Sequence, residues 1–242
     1  MKNFGLLGKH IDYSFSRGYF KDKFETNKLD CSYNNFDLEK IEDFEDLKTT
    51  AQLSGLNVTI PYKQEVIPYL DAIDLEAKEI GAVNTIKIEN GKLTGYNTDH
   101  YGFEHSLKPH LKSFHKKALV LGTGGASKAV AFALKKLGIS FEYVSRTQSS
   151  AVKYTYESLS GKEIKDYQII INCTPLGTFP DITKCPQIPY QQITSNHLLF
   201  DLIYNPEETL FLKQGKKNNA TTLNGLEMLR LQAEKSWEIW NS

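Results

Sequence analysis

Short apolar runs alternate along the chain with longer stretches in which apolar residues recur every three or four positions. Short runs are typical of strands, and the longer periodicity is typical of helices. The pattern predicts strands at residues 4–8, 30–36, 56–60, 117–121, 141–144, 169–171 and 198–203, and helices at residues 37–53, 126–137 and 226–240. This alternation of strands and helices predicts an α/β fold with mostly parallel sheets.

One pair of strands departs from this order. Alternating apolar and polar residues at positions 83–89 and 93–96 are separated by Asn90 and Gly91, a pair that favours a tight hairpin turn. After Asp99 the pattern changes to buried-strand runs and a glycine-rich turn. The change indicates a domain boundary near residue 100.

Composition and charge exclude several classes of protein. The 242 residues are 40% hydrophobic and 24% charged, as in a globular protein, and 29 basic residues balance 29 acidic ones. A neutral chain gives no reason to expect nucleic acid or a membrane surface as a partner. The three cysteines lack metal-ligand spacing, and no apolar stretch approaches the roughly 20 residues that span a bilayer. We therefore expect a cytoplasmic protein without a metal site.

A glycine-rich segment lies between the strand at 117–121 and the helix at 126–137. Gly122, Gly124 and Gly125 would let the backbone turn tightly and approach a phosphate, and the helix N-terminus would offer free N–H groups. A tight turn could also need these glycines for structure alone, and Ser127 replaces the usual third glycine or alanine. With a strand before it and a helix after it, the segment favours a dinucleotide ligand.

The end of the next strand bears on which dinucleotide binds. The segment there reads Ser145-Arg146-Thr147, and a guanidinium suits the 2′-phosphate of NADP. Glu142, which could bind the ribose hydroxyls of NAD, falls inside the predicted strand and not at its end. Arg146 could instead be a solvated surface residue. The pattern favours NADP over NAD.

Polar residues also recur at strand ends in the first hundred residues. The hydroxyls of Ser14 and Ser16 could hold a carboxylate or could cap the helix that follows. Asn57 and Thr59 share one face of a strand by period two, opposite Val58 and Ile60. Further polar candidates, each of which could be a plain surface, turn or cap residue, are Lys63, Asn84, Asn97 and Asp99.

Seven short segments occur in the order typical of shikimate dehydrogenases, and the chain resembles that family from residue 14 to residue 232. Any one segment is common, but seven in a single order are specific. The segments are residues 57–63, 81–85, 97–99, 122–129, 172–177, 201–206 and 224–229.

The resemblance implies an α/β fold of two domains with a cleft between them. An N-terminal substrate domain with a mainly parallel sheet would comprise residues 1–100 and 225–242, and a Rossmann-like NADP-binding domain residues 101–224. The implied reaction is the reversible NADPH-dependent reduction of 3-dehydroshikimate to shikimate, which belongs to chorismate and aromatic amino acid biosynthesis. The partners would be these small molecules, and a monomer and a homodimer both fit the sequence.

Matching positions carry the family's substrate roles onto this chain. Lys63 and Asp99 would form the catalytic pair. The substrate carboxylate would be held by Ser14, Ser16 and Thr59, and its hydroxyls by Asn84, Asp99 and Gln232, with Asn57 and Lys63 also at the substrate.

The cofactor roles follow in the same way. The pyrophosphate would lie on Gly122, Thr123, Gly124, Gly125 and Ala126, and the adenosine end on Ser145, Arg146 and Thr147. The nicotinamide would be surrounded by Thr174, Pro175, Leu176, Gly177, Tyr204, Gly225 and Met228.

Two departures from the family pattern qualify this assignment. Arg17 follows Ser16 where the family usually has proline, and Ser150 stands where a second basic residue usually follows Arg146. The second departure predicts only modest discrimination between NADP and NAD. Two alternatives stay open: a related dehydrogenase that also uses quinate, with relaxed choice of NAD or NADP, and a catalytically silent paralogue that binds nucleotide. Loss of Lys63 or Asp99 would have favoured the silent paralogue, and both residues are present.

Overall fold

A computed structural model describes residues 1–12 and 14–242, apart from the side chain of Thr50. These residues form two compact units: unit 1 contains residues 1–98 and 233–242, and unit 2 contains residues 99–232. The domains expected from the sequence place both junctions at other residues, after 100 and after 224, and that division stays a prediction. Within the described ranges, no helix combines the length and the hydropathy needed to cross a membrane.

Unit 1 is built on a mixed sheet. Its elements, in chain order, are β1 (Lys2–Gly8), α1 (Phe15–Thr26), β2 (Cys31–Asp37), α2 (Phe44–Thr50), β3 (Gly55–Val58), β4 (Ala72–Ile73), α3 (Leu75–Ile80), β5 (Thr85–Glu89) and β6 (Lys92–Tyr96). The strand order is β2-β1-β3-β5-β6-β4. β1 is parallel to β2 and β3, whereas β5 is antiparallel to β3 and β6. The predicted hairpin is confirmed, and its turn residues Asn90 and Gly91 have φ angles of +51° and +77°.

Unit 2 is built on a parallel sheet. Its elements are α4 (Asp99–Leu107), β7 (Lys117–Leu121), α5 (Gly125–Lys136), β8 (Ser140–Ser145), β9 (Tyr154–Thr155), α6 (Gly161–Asp166), β10 (Ile169–Asn172), β11 (Leu198–Asp201), α7 (Leu210–Lys217), β12 (Thr221–Leu223) and, as far as Gln232, α8 (Leu226–Trp240). The strand order is β12-β11-β10-β7-β8-β9, with each neighbouring pair parallel. This is the order of the doubly wound dinucleotide-binding fold, in which the winding reverses between β7 and β10. The predicted Rossmann-like arrangement is confirmed.

Both faces of the parallel sheet are covered by apolar side chains. Along β7, Val120 packs into one core cluster with Phe103, while Leu119 and Leu121 pack into another with Phe211. Successive strand residues point to opposite faces, so an unbroken apolar run is needed to bury both. This explains why β7 was recognisable from sequence with its observed bounds.

Several elements differ from the sequence prediction. The helix expected at residues 37–53 is a 3-10 turn at Ile41–Asp43 followed by the short α2. The strand expected at 198–203 ends at Asp201, whose carboxylate accepts the N–H of Ile203 at 3.1 Å. The helices α3, α4, α6 and α7 were not predicted, because six to nine residues give too little periodicity to recognise.

An aromatic cluster attaches the C-terminal part of α8 to the sheet of unit 1. Trp240 stacks on Phe4 with ring centroids 4.7 Å apart, and Trp237 meets the same ring edge-on at 5.6 Å. The Trp240 indole N–H donates to the Ile86 carbonyl at 2.9 Å. Gly55 lies against the Trp240 indole, where a Cβ atom would collide with the ring. The close approach of indole and backbone therefore requires glycine at this position.

Gly55→Ala should destabilise unit 1, because the added methyl group would push the Trp240 indole off Phe4. We expect the free energy of unfolding to fall by about 1–3 kcal/mol. The two tryptophans of the chain, Trp237 and Trp240, both lie in unit 1, so urea unfolding followed by tryptophan fluorescence reports on this unit.

Gly18→Ala is the matched control for this variant. Among the described atoms, a Cβ at Gly18 in α1 would meet nothing within 4 Å, and alanine is the better helix former. This control should be at least as stable as the wild type. Equal stability of Gly55→Ala and the wild type would contradict the close packing of Trp240.

Candidate active site

The glycine-rich loop (residues 122–126) lies where the winding of the unit 2 sheet reverses. Gly122 has a φ of +98°, and a Cβ there would come within 3.0 Å of the Thr174 methyl group. The Cys173 N–H donates to the Leu121 carbonyl at 2.9 Å, which extends the pairing of β7 and β10 to the point where both strands end. The loop after β7 therefore adjoins the loop after β10, and both contain predicted cofactor residues.

The N-terminus of α5 follows directly after Gly122. Thr123 and Gly124 are exposed, Gly124 is the N-cap, and Gly125 and Ala126 form the first turn. A glycine N-cap has no side chain to occupy the first N–H groups of the helix. The Ser127 hydroxyl donates to the Gly124 carbonyl at 2.6 Å and fixes the turn. Such a helix start is suited to an anion.

A cavity of about 400 Å³, which we call the β8 cavity, lies between the start of α5 and the end of β8. Thr123, Ser145 and Thr147, all predicted cofactor residues, line it together with Lys128. Arg146, between two lining residues, is exposed and close to Tyr156. Burial raises the pKa of the Tyr156 phenol to about 12, and the positive charge of Arg146 opposes that rise.

Two fully buried side chains hold the loops after β10 and β11. The Asn172 amide donates to Asp201 Oδ1 at 3.0 Å, and its oxygen accepts the N–H and the hydroxyl of Thr174 at 3.0 and 2.6 Å. Asp201 Oδ1 also accepts the Ile203 N–H at 3.1 Å, and Oδ2 accepts the Thr209 hydroxyl at 2.6 Å. Asp201 is thus linked to both loops through one carboxylate.

This network positions the residues that the sequence assigned to the nicotinamide. Thr174 in turn accepts the Leu176 N–H at 3.3 Å, Pro175 lies between them, and Gly177 closes the loop with a φ of +101°. Tyr204 follows Ile203 in the segment after β11. The sequence missed Asn172, Asp201 and Thr209 as site-forming residues, although polar residues at the ends of buried strands were a signal for the first two.

Two further cofactor candidates lie at the N-terminal end of α8, with Gly225 directly before the helix and Met228 in its first turn. The Gly225 N–H donates to the Ile203 carbonyl at 3.1 Å, next to the segment that contains Tyr204. Met228 is buried and belongs to a core cluster of unit 2. At Gly102 of α4, a Cβ would lie 2.5 Å from the Met228 carbonyl oxygen and 3.2 Å from the Gln232 nitrogen. The backbones of α4 and α8 therefore pack closely, and α4 begins with Asp99.

In unit 1, Ser14 and Ser16 both have structural partners. Ser14 is the N-cap of α1 and accepts the Arg17 N–H at 3.4 Å, so the capping role considered for it is present. Burial raises the pKa of the Tyr33 phenol, and a hydrogen bond with Ser16 opposes the rise. The Tyr33 hydroxyl donates to the Asn57 oxygen at 2.8 Å. Ser16 is thus linked through Tyr33 to Asn57, the next predicted substrate residue.

A buried polar cluster surrounds Asn57. Its amide donates to the Ser236 hydroxyl at 2.9 Å, and that hydroxyl lies 2.8 Å from the Thr85 hydroxyl and 3.2 Å from the Thr98 hydroxyl. Asn84 joins through its amide, which donates to Thr98 Oγ1 at 3.0 Å. Ser236, on the unit 1 part of α8, is fully buried and was not recognised from sequence.

The strand face predicted for Asn57 and Thr59 is formed only in part. β3 ends at Val58, so Ile60 is 75% exposed while Val58 is buried. Thr59 lies beyond the strand and is half-buried. Asn57 is buried within the cluster, so its side chain fixes neighbouring polar residues.

The two proposed catalytic residues occupy restricted positions. Lys63 is half-buried in the turn after β3, where its carbonyl accepts the Val83 N–H at 2.7 Å. Asp99 is only 4% exposed. The catalytic role of both residues stays a prediction at these positions.

Comparisons with known proteins agree with this arrangement. Residues 6–86 match the family described as the shikimate dehydrogenase substrate binding domain. The chain is 39% identical over 255 aligned positions to the NADP(+) shikimate dehydrogenase of Methanococcus vannielii, covering 98% of this chain and 90% of that protein.

Solved structures are also similar to this chain over nearly its whole length. The shikimate dehydrogenase of Thermus thermophilus, in complex with NADP(H) and shikimate, is 30% identical with a TM-score of 0.87, covering 99% of this chain and 93% of that chain. The quinate dehydrogenase of Corynebacterium glutamicum, in complex with NAD, is 25% identical with a TM-score of 0.88 and the same coverage. The fold is therefore shared by both enzymes, while sequence identity is higher to the first.

Asp201→Asn tests the electrostatics of the buried network. Burial raises the pKa of Asp201 from 3.8 to about 6, against the opposing hydrogen bonds from Thr209, Ile203 and Asn172. A raised pKa means that the folded state holds the proton more tightly, so stability is lost as the pH rises from about 4 to about 6. We expect the wild type to lose up to about 3 kcal/mol relative to Asp201→Asn across this window.

Hydrogen exchange at the Ile203 and Thr174 amides, measured at pH 4 and pH 7, gives the local opening free energy for this test. The exposed variant Asp166→Asn, in the same unit, controls for the loss of one negative charge. Parallel pH profiles for wild type and Asp201→Asn would show that the carboxylate does not titrate in this window.

Proposed function

This chain belongs to the shikimate dehydrogenase family, and on that basis we propose that it catalyses the reversible NADPH-dependent reduction of 3-dehydroshikimate to shikimate. The observation that carries the proposal is the approach of Gly122 to Thr174, at the reversal point of a doubly wound sheet and the start of α5. Open α/β sheets bind their ligands at that point. The reaction would serve chorismate and aromatic amino acid biosynthesis, in the cytoplasm.

The residues at the reversal point fit a dinucleotide. A side chain at Gly122 would press on Thr174 and occupy the space that a pyrophosphate needs, and the free N–H groups of α5 suit its charge. We assign the pyrophosphate to residues 122–126, the adenosine end to residues 145–147, and the nicotinamide to residues 174–177 with Tyr204, Gly225 and Met228. When bound, NADPH supplies the hydride for the reduction.

The substrate residues are assigned by their matching positions in the family. Ser14, Ser16 and Thr59 would hold the carboxylate, and Asn84, Asp99 and Gln232 the hydroxyls. The internal bonds of Asn57 and Tyr33 support this assignment, because they fix Ser16 and the end of β3 before any ligand binds. Preorganised polar groups avoid the cost of ordering them during binding.

Lys63 and Asp99 are the residues that we assign to proton transfer. Reduction places negative charge on the carbonyl oxygen, and the Lys63 ammonium group would balance this charge and deliver a proton to that oxygen. Asp99 would serve as its acidic counterpart and accept a hydrogen bond from a substrate hydroxyl. General acid–base assistance is worth on the order of 10²–10⁴ in rate, and stabilisation of the developing charge adds to it.

Replacing Lys63 by Ala should lower kcat by on the order of 10²-fold or more and change KM for shikimate much less. Lys92→Ala, an exposed position in the β5–β6 hairpin, is the control and should leave both constants unchanged. Steady-state kinetics of shikimate oxidation measures both. A rise in KM with kcat unchanged would make Lys63 a binding residue and would overturn its catalytic role.

The experiment that tests the function crosses shikimate and quinate against NADP and NAD, following nicotinamide reduction by the purified protein. Turnover with shikimate and NADP is the expected result. A preference for quinate with NAD would assign the chain to the activity named for the Corynebacterium relative. Folded protein that turns over none of the four pairs would support the silent paralogue. Sedimentation of the same sample would decide between monomer and homodimer.

A further inference from the structure

Two turns with the same arrangement precede parallel strands of unit 2. Residues 112–115 read Lys-Ser-Phe-His and lead into β7, and residues 194–197 read Thr-Ser-Asn-His and lead into β11. In each turn the histidine N–H donates to the carbonyl three residues earlier, at 2.9 Å for His115 and 3.0 Å for His197. Both histidines are buried, at 4% and 3% exposure. Each turn therefore encloses an imidazole just before a strand begins.

The hydrogen bonds at Nδ1 define the protonation state of both imidazoles. His115 Nδ1 lies 3.1 Å from the backbone nitrogen of Lys112, and His197 Nδ1 lies 3.0 Å from that of Thr194. A backbone N–H can only donate, so each Nδ1 has to accept and cannot carry a proton. Each imidazole is therefore neutral, with its one proton on Nε2.

The protons on Nε2 connect three segments at the N-terminal ends of the strands. His115 Nε2 donates to the Asn196 carbonyl at 3.1 Å, and His197 Nε2 donates to the Ile164 carbonyl of α6 at 2.8 Å. The turn before β7 is thus joined to the turn before β11, and that turn to the helix that precedes β10. These connections lie at the opposite ends of β7 and β11 from the glycine-rich loop and Asp201.

The surroundings of the two histidines disfavour a positive charge. Burial lowers the pKa of His115. The hydrogen bond with the Asn196 carbonyl opposes this effect, and repulsion from Lys112 and from a protonated His197 adds to it. From α6, Lys165 lines a cavity of about 250 Å³ together with His197. The nearby lysines therefore favour the neutral imidazoles.

Other charged groups of the adjoining segments have partners of their own or are exposed. Glu163 of α6 accepts the Ser160 N–H at 2.9 Å, and Lys117 Nζ of β7 lies 5.9 Å from the centroid of the Tyr167 ring. The exposed ones are Lys108, His110, Lys116, Lys162 and Asp166.

We propose that His115 and His197 form a pH-sensitive switch, which joins the turns at the N-terminal side of the parallel sheet at neutral pH and releases them in acid. A proton added to Nδ1 would face the N–H of Lys112 or Thr194, so that hydrogen bond would be lost and two donors would oppose each other. The turns before β7 and β11 would then open. The proposal does not depend on the catalytic assignment, because none of these residues is assigned to a ligand.

The direction of the pH dependence follows from His115. Its pKa lies below the ordinary value of 6.5, so the unfolded chain binds this proton more tightly than the folded chain does. The stabilising contribution of the neutral imidazole is therefore present above pH 6.5 and is lost as the pH falls below that value. This sign is opposite to the one expected for Asp201, whose contribution is lost as the pH rises.

Nitrogen NMR of the full chain tests the tautomers directly. At pH 8, long-range ¹H–¹⁵N correlations should show both imidazoles neutral, with the proton on Nε2. An Nδ1–H tautomer or an imidazolium at His115 or His197 would overturn the proposal, since neither form could accept a backbone N–H at Nδ1.

Hydrogen exchange at the Lys112 and Thr194 amides, expressed as protection factors between pH 8 and pH 5, measures the opening. Protection at Lys112 should fall about tenfold or more toward pH 5, as expected for the loss of a buried hydrogen bond. Protection at Thr194 should fall with it, because the Asn196 carbonyl joins the two turns.

His115→Asn removes the titrating group and keeps an acceptor. The asparagine oxygen can take the place of Nδ1 and accept the Lys112 N–H, a bond that asparagine commonly makes in turns. Protection at Lys112 should then be independent of pH. His110→Asn, which replaces an exposed histidine just before the same turn, is the matched control and should keep the wild-type pH dependence.

Two outcomes would contradict the switch: protection at Lys112 that stays constant from pH 8 to pH 5 in the wild type, and protection that falls equally in His115→Asn. A thermal melt at pH 8 shows whether the variant is folded. If it is not, His197→Asn with exchange at Thr194 makes the same comparison in the second turn.

Discussion

The satisfaction of buried hydrogen-bonding groups is the constraint on which both parts of the proposed site depend. A polar side chain buried without a partner costs about as much as a lost hydrogen bond, so polar residues at buried strand ends have to satisfy one another. In unit 2 the Asp201 carboxylate accepts three such bonds, and in unit 1 the Ser236 hydroxyl meets three neighbours. Neither residue is assigned to a ligand. Each instead fixes loops and strand ends that carry residues assigned to the cofactor or the substrate.

The two residues proposed for proton transfer adjoin the buried polar cluster along the chain. Asp99 follows Thr98, whose N–H donates to Asn84 Oδ1 at 2.6 Å, and the Lys63 carbonyl accepts the N–H of Val83, which precedes Asn84. The hydrogen-bond network therefore fixes the backbone next to the groups proposed for the chemistry.

Much of the fold could be predicted because its signals are local. β7, the glycine-rich loop and α5 are encoded by adjacent residues, and Asn90 with Gly91 specifies the hairpin. The networks could not be predicted, because Asn57 and Ser236 are 179 positions apart and Asn172 and Asp201 are 29 apart. The alternation of side chains along β3 also did not predict the backbone beyond Val58, since alternation does not show where a strand ends. Site residues could be named only through the family resemblance, which supplies the long-range information that local patterns lack.

The return of α8 to the first sheet has a consequence for the newly made chain. Unit 2 is continuous in sequence and leaves the ribosome as a whole, whereas unit 1 lacks residues 233–242 until they too have been translated. Until then the surface around Phe4 and Gly55 that receives Trp240 stays open to water. Nascent domains fold as units, and exposed apolar surface invites aggregation. The part of unit 1 that Trp240 covers is therefore completed only after all of unit 2 has been translated.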